Sequence, residues 1–137
     1  MADMSVDQEY NASPDTLWKL IREFGNLDWM PGVASCQSEG EGIGALRHIT
    51  MGDNVVTERL EAFDDVARSL SYSIQKGPVP VQDYLATMTV SETDGGCRVD
   101  WSARFKLPDG IPAEAVTQGL AAAYGGTLKA LKKQLDG

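Results

Sequence analysis

The sequence predicts an α+β domain in which a seven-stranded, curved antiparallel sheet wraps around a long C-terminal helix. Three features indicate this class: strand patterns that alternate apolar and polar residues, turn residues between consecutive strands, and one long amphipathic stretch at the C-terminus. Such alternation favours an antiparallel sheet that is covered on one face. The 137 residues lie in the usual range for one domain, and neither a repeat nor a linker divides them.

The N-terminal region predicts one strand followed by two short helices. Residues 4–11 alternate in polarity and are predicted to form the strand. Ser13 can cap a helix and Pro14 suits its first turn, so the first helix is expected to begin there. Gly25 is expected to end it, and residues 27–32 predict a second short helical turn, which Pro and Gly close.

Six further strands and the C-terminal helix account for the rest of the chain. The strands are predicted over residues 33–39, 45–51, 54–63, 69–75, 83–91 and 97–105. The helix is predicted over residues 113–135, and its apolar stripe consists of Val116, Leu120, Tyr124, Leu128, Leu131 and Leu135. Gly125 and Gly126 lie inside this helix, where each costs about 1 kcal/mol relative to alanine. Either close packing against the sheet or room for a ligand would explain them.

Composition and charge exclude several functions. The formal net charge is -8, from 20 acidic and 12 basic residues, so nucleic acids and anionic membrane surfaces are not expected as partners. No apolar run approaches the roughly 20 residues that a membrane span needs. The polar N-terminus does not resemble a secretory signal, so a cytoplasmic protein is expected.

Metal, nucleotide and triad chemistry are not expected either. Cys36 and Cys97 lack the spacing of metal ligands and are predicted to be free thiols. His48, the only histidine, is predicted to face outward, without partners for a metal site or a catalytic triad. The glycine-rich segment 40–44 precedes no helix, so it predicts a hairpin turn and not a phosphate-binding loop. No cofactor is therefore predicted.

One hairpin places two opposite charges on the inner face of the predicted sheet. Gly52 and Asp53 suit a two-residue type II′ turn, and the resulting register puts Arg47 opposite Glu58. The apolar residues of both strands must face the core, and alternation then turns this pair inward as well. Desolvation of the pair costs several kcal/mol per ion unless hydrogen bonds offset it. The pair could contact a ligand, form a structural salt bridge, or face solvent if the register slips.

A sheet that wraps a single helix leaves volume between them, and pockets form in such places. Besides Arg47 and Glu58, the residues expected to line this pocket are Tyr72, Tyr84, Met88, Trp101, Leu120 and Tyr124, with Trp29 at the entrance. Each of these alone occurs more often in a core than in a site. Pro78 and Pro80 stiffen the loop that is predicted to form the other lip of the entrance.

Residues distributed along nearly the whole chain carry a family resemblance. They are Ser13-Pro14-Asp15 with Trp18, Trp29-Met30-Pro31-Gly32, Gly44 with Arg47, Glu58-Arg59-Leu60, Asp64-Asp65, Tyr72, Tyr84, Trp101 and Tyr124-Gly125-Gly126. In order and spacing they resemble the START/polyketide-cyclase-like (SRPBCC) superfamily, and most closely its bacterial polyketide cyclase/dehydrase group. The resemblance implies the fold called the helix-grip and a START-like ligand-binding domain over residues 1–137.

Residues 56–90 also resemble the plant abscisic-acid receptors, in which an inward glutamate and tyrosine line the hormone pocket. This resemblance supports Glu58 and Tyr84 as pocket residues. The receptors' proline-bearing gate loop is replaced here by the tight turn at residues 52–53, and their latch by Gly77-Pro78-Val79-Pro80. The second predicted strand contains no lysine, whereas the receptors supply one there for the hormone's carboxylate, so abscisic-acid sensing is not implied.

Three functions fit the predicted pocket. The first is the binding of a small, largely apolar molecule (a lipid, polyketide or aromatic metabolite) whose polar end meets Arg47, Glu58 and Tyr84. The second is a cyclase- or dehydratase-like enzyme, in which Glu58 is the acid or base and Arg47 or Tyr84 stabilises an enolate. The third is a non-catalytic accessory or interaction module. The fold alone does not decide among these functions. The chain is expected to be a monomer or homodimer.

Overall fold

Seven antiparallel strands and two helices build residues 2–136, the part of the chain that the computed structural model describes. The strands are β1 (Ala2–Tyr10), β2 (Ser35–Glu39), β3 (Leu46–Met51), β4 (Asn54–Asp64), β5 (Ser69–Lys76), β6 (Gln82–Thr93) and β7 (Gly96–Lys106). The helices are α1 (Pro14–Arg22) and α2 (Ala113–Asp136). The sheet order is β1-β7-β6-β5-β4-β3-β2, so the predicted α+β helix-grip class is confirmed.

Helix α1 begins at its predicted cap and ends earlier than predicted. Ser13 Oγ accepts a hydrogen bond from the backbone N–H of Thr16 at 3.2 Å, and a proline occupies the first turn. The helix ends at Arg22 rather than at Gly25, so Phe24 lies beyond it and its backbone carbonyl is free to accept other hydrogen bonds.

The second short helix predicted over residues 27–32 is wrong, because this segment forms consecutive turns. Met30 N donates a hydrogen bond to Leu27 O at 3.0 Å, which closes one turn. Pro31 has no N–H to extend the turn into a helix, and Gly32 follows with a φ of 85°, a left-handed conformation that ends it.

The β3–β4 hairpin has the register that its turn predicts. Met51 pairs with Asn54, and Arg47 pairs with Glu58. Gly52 has a φ of 61°, whereas the aspartate after it has a negative φ, which is the type II′ arrangement. Both charged side chains therefore face the interior with the apolar residues of their strands, and a register slip is excluded.

Helix α2 is fixed to the sheet through its C-terminal half. Tyr10 Oη donates a hydrogen bond to the backbone oxygen of Leu128 at 2.7 Å, and Lys132 Nζ donates one to the backbone oxygen of Glu9 at 2.8 Å. This helix packs against β1, and Leu128 and Leu131 are buried in the core. Nearer its N-terminus the helix is less deeply buried, which leaves space between it and the inner face of the sheet. Neither α1 nor α2 has the length and hydropathy that a membrane-spanning helix requires.

The remaining local predictions concern cysteines, histidine and a glycine-rich turn. Cys36 and Cys97 are free thiols, as predicted. His48 Nδ1 lies 2.9 Å from Thr57 Oγ1, its cross-strand neighbour on the outer face. Residues 40–44 form the turn that joins β2 to β3, as predicted.

Neither glycine in α2 is required by a close approach. A Cβ atom on Gly125 would lie 3.8 Å from Val6 Cγ1, an ordinary van der Waals distance, and one on Gly126 would meet no atom within 4 Å. Neither glycine lines the cavity described below. The structure thus supports neither close packing nor space for a ligand as the reason for Gly125 and Gly126.

The substitution Gly126→Ala is expected to raise the free energy of unfolding by about 0.5–1 kcal/mol, because alanine favours the helix and the site is open. Urea unfolding measures this change. Gly96→Ala is the contrasting variant, since its Cβ would lie 1.9 Å from the backbone oxygen of Tyr10 and must displace β1. A stability loss in Gly126→Ala would show that this helix position is more crowded than the structure indicates.

Candidate functional site

A cavity of about 320 Å³ lies between the inner face of the sheet and α2. This volume is at the small end of the range for ligand pockets, roughly 300–1,000 Å³. Its apolar wall consists of Leu27, Met30, Ile49, Met51, Val56, Ile74, Pro78, Val79, Trp101, Leu120 and Ala123. A larger hollow of about 560 Å³ lies at the surface beside the start of α2, away from this inner face.

Arg47 and Glu58 form a buried ion pair in the wall of this cavity. Arg47 is 4% exposed and Glu58 is 7% exposed. The guanidinium Nε and Nη2 atoms each lie 2.7 Å from Glu58 Oε1, and Nη1 donates a hydrogen bond to the backbone oxygen of Phe24 at 3.0 Å. The guanidinium carbon lies 4.1 Å from the ring centroid of Phe24 and 4.8 Å from that of Tyr72. Two rings, a carbonyl and a carboxylate thus hold the arginine in place.

The two oxygens of Glu58 are in different environments. Nε and Nη2 of Arg47 both contact Oε1, and no residue of the described range 2–136 donates a hydrogen bond to Oε2. Oε2 is not completely enclosed by protein, and Glu58 lines the cavity. A molecule in the cavity would therefore meet Oε2 as an acceptor without a partner.

Burial raises the pKa of Glu58 above its ordinary value of 4.5, and the adjacent Arg47 guanidinium offsets part of this increase. The ladder between β4 and β5 also shifts beside this residue. Thr57 pairs with Lys76 and Glu58 with Ile74, so β5 carries one extra residue there. Such a bulge bends the strand and re-aims the side chains next to it.

Three tyrosines and a tryptophan form a hydrogen-bonded cluster next to the ion pair. Trp101 Nε1 donates a hydrogen bond to Tyr72 Oη at 3.1 Å, and the hydroxyls of Tyr84 and Tyr124 hydrogen-bond to each other. The rings of Trp101 and Tyr124 stack with their centroids 4.0 Å apart. Burial raises the pKa of all three phenols, so they are neutral hydrogen-bonding groups.

Comparison with known proteins identifies the family. Residues 1–136 match the family described as polyketide cyclase / dehydrase and lipid transport. The chain belongs to this family. The resemblance that the sequence motifs predict is thereby confirmed.

Proteins similar to this member of the polyketide cyclase/dehydrase family come from bacteria and plants. XoxI from Bacillus cereus is 34% identical with a TM-score of 0.90, and the match covers 98% of this chain and 96% of that one. MLP-like protein 423 of Arabidopsis thaliana is 35% identical, and the match covers 75% of this chain and 75% of that one. Abscisic acid receptor PYL2 of the same plant is 31% identical, and the match covers 64% of this chain and 50% of the receptor.

Some of the residues that the sequence predicts for the pocket line the cavity, and others do not. Those that line it are Arg47, Glu58, Tyr72, Trp101, Leu120 and Tyr124. Tyr84 and Met88 are buried outside the lining. Tyr84 contacts the lining through its hydrogen bond to the Tyr124 hydroxyl and through its ring, whose centroid lies 6.4 Å from that of Tyr72. Met88 lies on β6, which α1 covers.

Trp29 is also outside the lining, which corrects its predicted place at the entrance. It is 8% exposed, and its Nε1 atom is buried without a hydrogen-bond partner in the described structure. Leu27 and Met30 line the cavity instead, because residues 27–32 form turns and not the predicted helix.

Sequence reasoning missed several residues of the site. Ala123 and Thr127 line the cavity, and their spacing from Leu120 along α2 could have identified them. Phe24, whose carbonyl and ring hold Arg47, gave no such signal, since its role depends on where α1 ends.

The substitution Arg47→Met is expected to lower the free energy of unfolding by about 3–5 kcal/mol, because it leaves the carboxylate of Glu58 buried without a partner. The loss is expected to be greater at about pH 8 than at about pH 5. Burial raises the pKa of Glu58 in the folded state. The contribution of this residue to stability is therefore largest below its ordinary pKa of 4.5, and it falls as the pH rises through the raised pKa. Urea unfolding at both pH values measures this difference.

Two variants serve as controls for this measurement. Arg59→Met removes an arginine of the neighbouring strand β4 whose half-exposed side chain pairs with Glu61, and a change below about 1 kcal/mol is expected. The double variant Arg47→Met, Glu58→Leu replaces the whole pair and is expected to recover most of the loss. Equal losses in Arg47→Met and Arg59→Met would mean that the pair is hydrated and not buried.

Proposed function

We propose that this protein binds one small, largely apolar molecule in the cavity between the sheet and α2. The observation that carries the proposal is an ion pair with an unpartnered carboxylate oxygen in a largely apolar wall. Apolar contact supplies affinity, at roughly 25 cal/mol per Å² removed from water. The pair fixes the orientation of the ligand, since a few polar groups in an apolar pocket do so in most binding sites.

The energetics of the pair favour ligand recognition over a purely structural role. A buried ion pair is often matched or exceeded in stability by two well-packed apolar residues of similar volume. Arg47 and Glu58 line the cavity, where their remaining hydrogen-bonding capacity is open to a ligand. A structural bridge would need its second carboxylate oxygen bonded as well, and that oxygen has no donor within residues 2–136.

The family and the size of the cavity support the same proposal. Polyketide cyclase, dehydrase and lipid transport are the activities in the family's description, and each handles a molecule with extensive apolar surface. A volume of about 320 Å³ favours a single small molecule over a lipid with two long chains. The abscisic acid receptor, as its name states, binds a small hormone, and this chain resembles it over half of that receptor's length.

The entrance to the cavity is proposed to lie between the β3–β4 turn and the loop that follows β5. Met51 and Val79 line the cavity and are also 39% and 38% exposed, so they lie at its rim. Pro78 stiffens this loop, and Met30 contributes the opposite lip in the place that the sequence predicted for Trp29. A cytoplasmic location and a monomeric or dimeric state stay predictions.

A second candidate function is catalysis of proton transfer in the same cavity. It is favoured by the raised pKa of Glu58 together with the unpartnered Oε2 atom of that residue. Glu58→Gln separates the two functions once a ligand is found. Binding that persists while turnover is lost indicates an enzyme, whereas binding without turnover in the unmodified protein indicates a binding protein.

The substitution Ala123→Trp is expected to weaken binding of N-phenylnaphthylamine, a neutral apolar fluorescent probe, by at least about tenfold. Ala123 lines the cavity near its opening, so an indole at this position fills space that the probe needs. Fluorescence titration of the unmodified and variant proteins measures the affinities, and thermal unfolding verifies that the fold is kept.

Ala122→Trp is the matched control, because it adds the same side chain to the neighbouring alanine, which is exposed on α2 and outside the cavity lining. Its affinity for the probe is expected to be unchanged. Absence of probe binding in the unmodified protein would contradict the proposed function and favour an accessory module. An equal loss in both variants would place the probe on the helix surface.

A further inference from the structure

We infer that the cavity selects a neutral ligand whose polar group is a hydroxyl and discriminates against the matching carboxylate. This inference rests on the proposed function and names the class of ligand. It follows from the charge of the cavity wall and from the hydrogen-bonding groups that the wall leaves without partners.

The charges of the cavity wall cancel. Arg47 and Glu58 are the charged residues of the lining, and the other lining side chains are neutral. Arg47 Nε donates a hydrogen bond to Oε1 of Glu58, and Nη2 lies 2.7 Å from the same oxygen, a geometry that an ionised carboxylate accepts. A ligand carboxylate would add an uncompensated negative charge next to Glu58 in an environment of low dielectric constant, where such a charge is costly.

The hydrogen-bonding capacity of the pair requires a ligand group that both donates and accepts. Glu58 Oε2 has no donor within residues 2–136, so it needs a ligand O–H or N–H. Arg47 carries five N–H donors, and its bonds to Glu58 and to the carbonyl of Phe24 leave some of them for an acceptor. A hydroxyl satisfies both needs, whereas an ether or ketone satisfies only the arginine.

Most other polar groups of the wall have partners already, and Asn54, whose side chain has none within residues 2–136, is exposed at the end of the β3–β4 turn. The hydroxyl of Tyr124 bonds to that of another tyrosine, and Tyr72 Oη accepts from Trp101 Nε1. Thr127 Oγ1 donates to the backbone oxygen of Ala123 at 3.0 Å. The structure therefore points to a ligand with one polar group, placed at the ion pair, on an otherwise apolar body.

Four probes of nearly the same shape test this inference: naphthalene, naphthylmethanol, the methyl ether of naphthylmethanol, and naphthoate. Their affinities for the unmodified protein are measured by displacement of N-phenylnaphthylamine at about pH 8, where naphthoate is ionised. Naphthylmethanol is expected to bind at least about tenfold more tightly than each of the other three, because only it can bond both to Glu58 Oε2 and to Arg47.

Glu58→Gln provides a second measurement with an opposite expected result. In this variant the cavity wall carries the uncompensated positive charge of Arg47. The affinity for naphthoate is therefore expected to rise by at least about tenfold relative to the affinity for naphthylmethanol. Asp94→Asn is the control, since it removes an acidic group at the exposed β6–β7 turn, outside the cavity lining and away from the proposed entrance. If Glu58→Gln does not fold, the ranking of the four probes on the unmodified protein decides alone.

The outcomes separate this inference from the proposed function. Failure of all four probes and of N-phenylnaphthylamine to bind the unmodified protein would overturn the proposed function. Binding in which naphthoate, the ether or naphthalene equals or exceeds naphthylmethanol would overturn the selection of a neutral hydroxyl, while the proposed function stands. Probe affinities that change equally in Glu58→Gln and Asp94→Asn would also overturn it, because long-range charge and not the cavity wall would then set the preference.

Discussion

The ion pair between Arg47 and Glu58 constrains the structure around it more than any apolar contact does. Its two bonds of 2.7 Å require Arg47 opposite Glu58, so the β3–β4 hairpin has one acceptable register. A slip by one residue would turn the pair to solvent and expose the apolar residues of both strands at once. Turn geometry, hydrophobic alternation and charge pairing therefore specify the same alignment, which is the consistency that a unique fold needs.

The same pair connects distant parts of the chain. The carbonyl that accepts a hydrogen bond from Arg47 belongs to Phe24, which follows α1, and the rings on either side of the guanidinium come from this segment and from β5. This carbonyl has no partner within the helix, because Phe24 lies beyond the last residue of α1. One side chain thus connects the segment after α1 to the wall of the cavity.

The sequence predicts the parts of this site that local patterns determine. Alternation and a two-residue turn suffice for the strands, the hairpin register and the inward direction of the pair. The end of α1 and the turns at residues 27–32 depend on contacts between distant segments, such as that of Phe24 with Arg47, and local pattern does not encode these. For the same reason Trp29 is predicted as a pocket residue although Met30 lines the cavity instead, and the lining is predicted only in part.

The two functions proposed for this cavity, binding and catalysis, differ in what the Oε2 atom of Glu58 does. The buried phenols have raised pKa values and keep their protons, so Glu58 is the group of the wall whose raised pKa brings proton exchange closer to neutrality. Towards the hydroxyl of an alcohol, Oε2 of Glu58 acts as a hydrogen-bond acceptor. Towards a carbon acid next to a carbonyl held by Arg47, the same oxygen could accept the proton itself, because the guanidinium would stabilise the enolate. Under the proposed function, the chemistry of the ligand, and not a further residue, therefore decides whether this cavity holds a molecule or changes it.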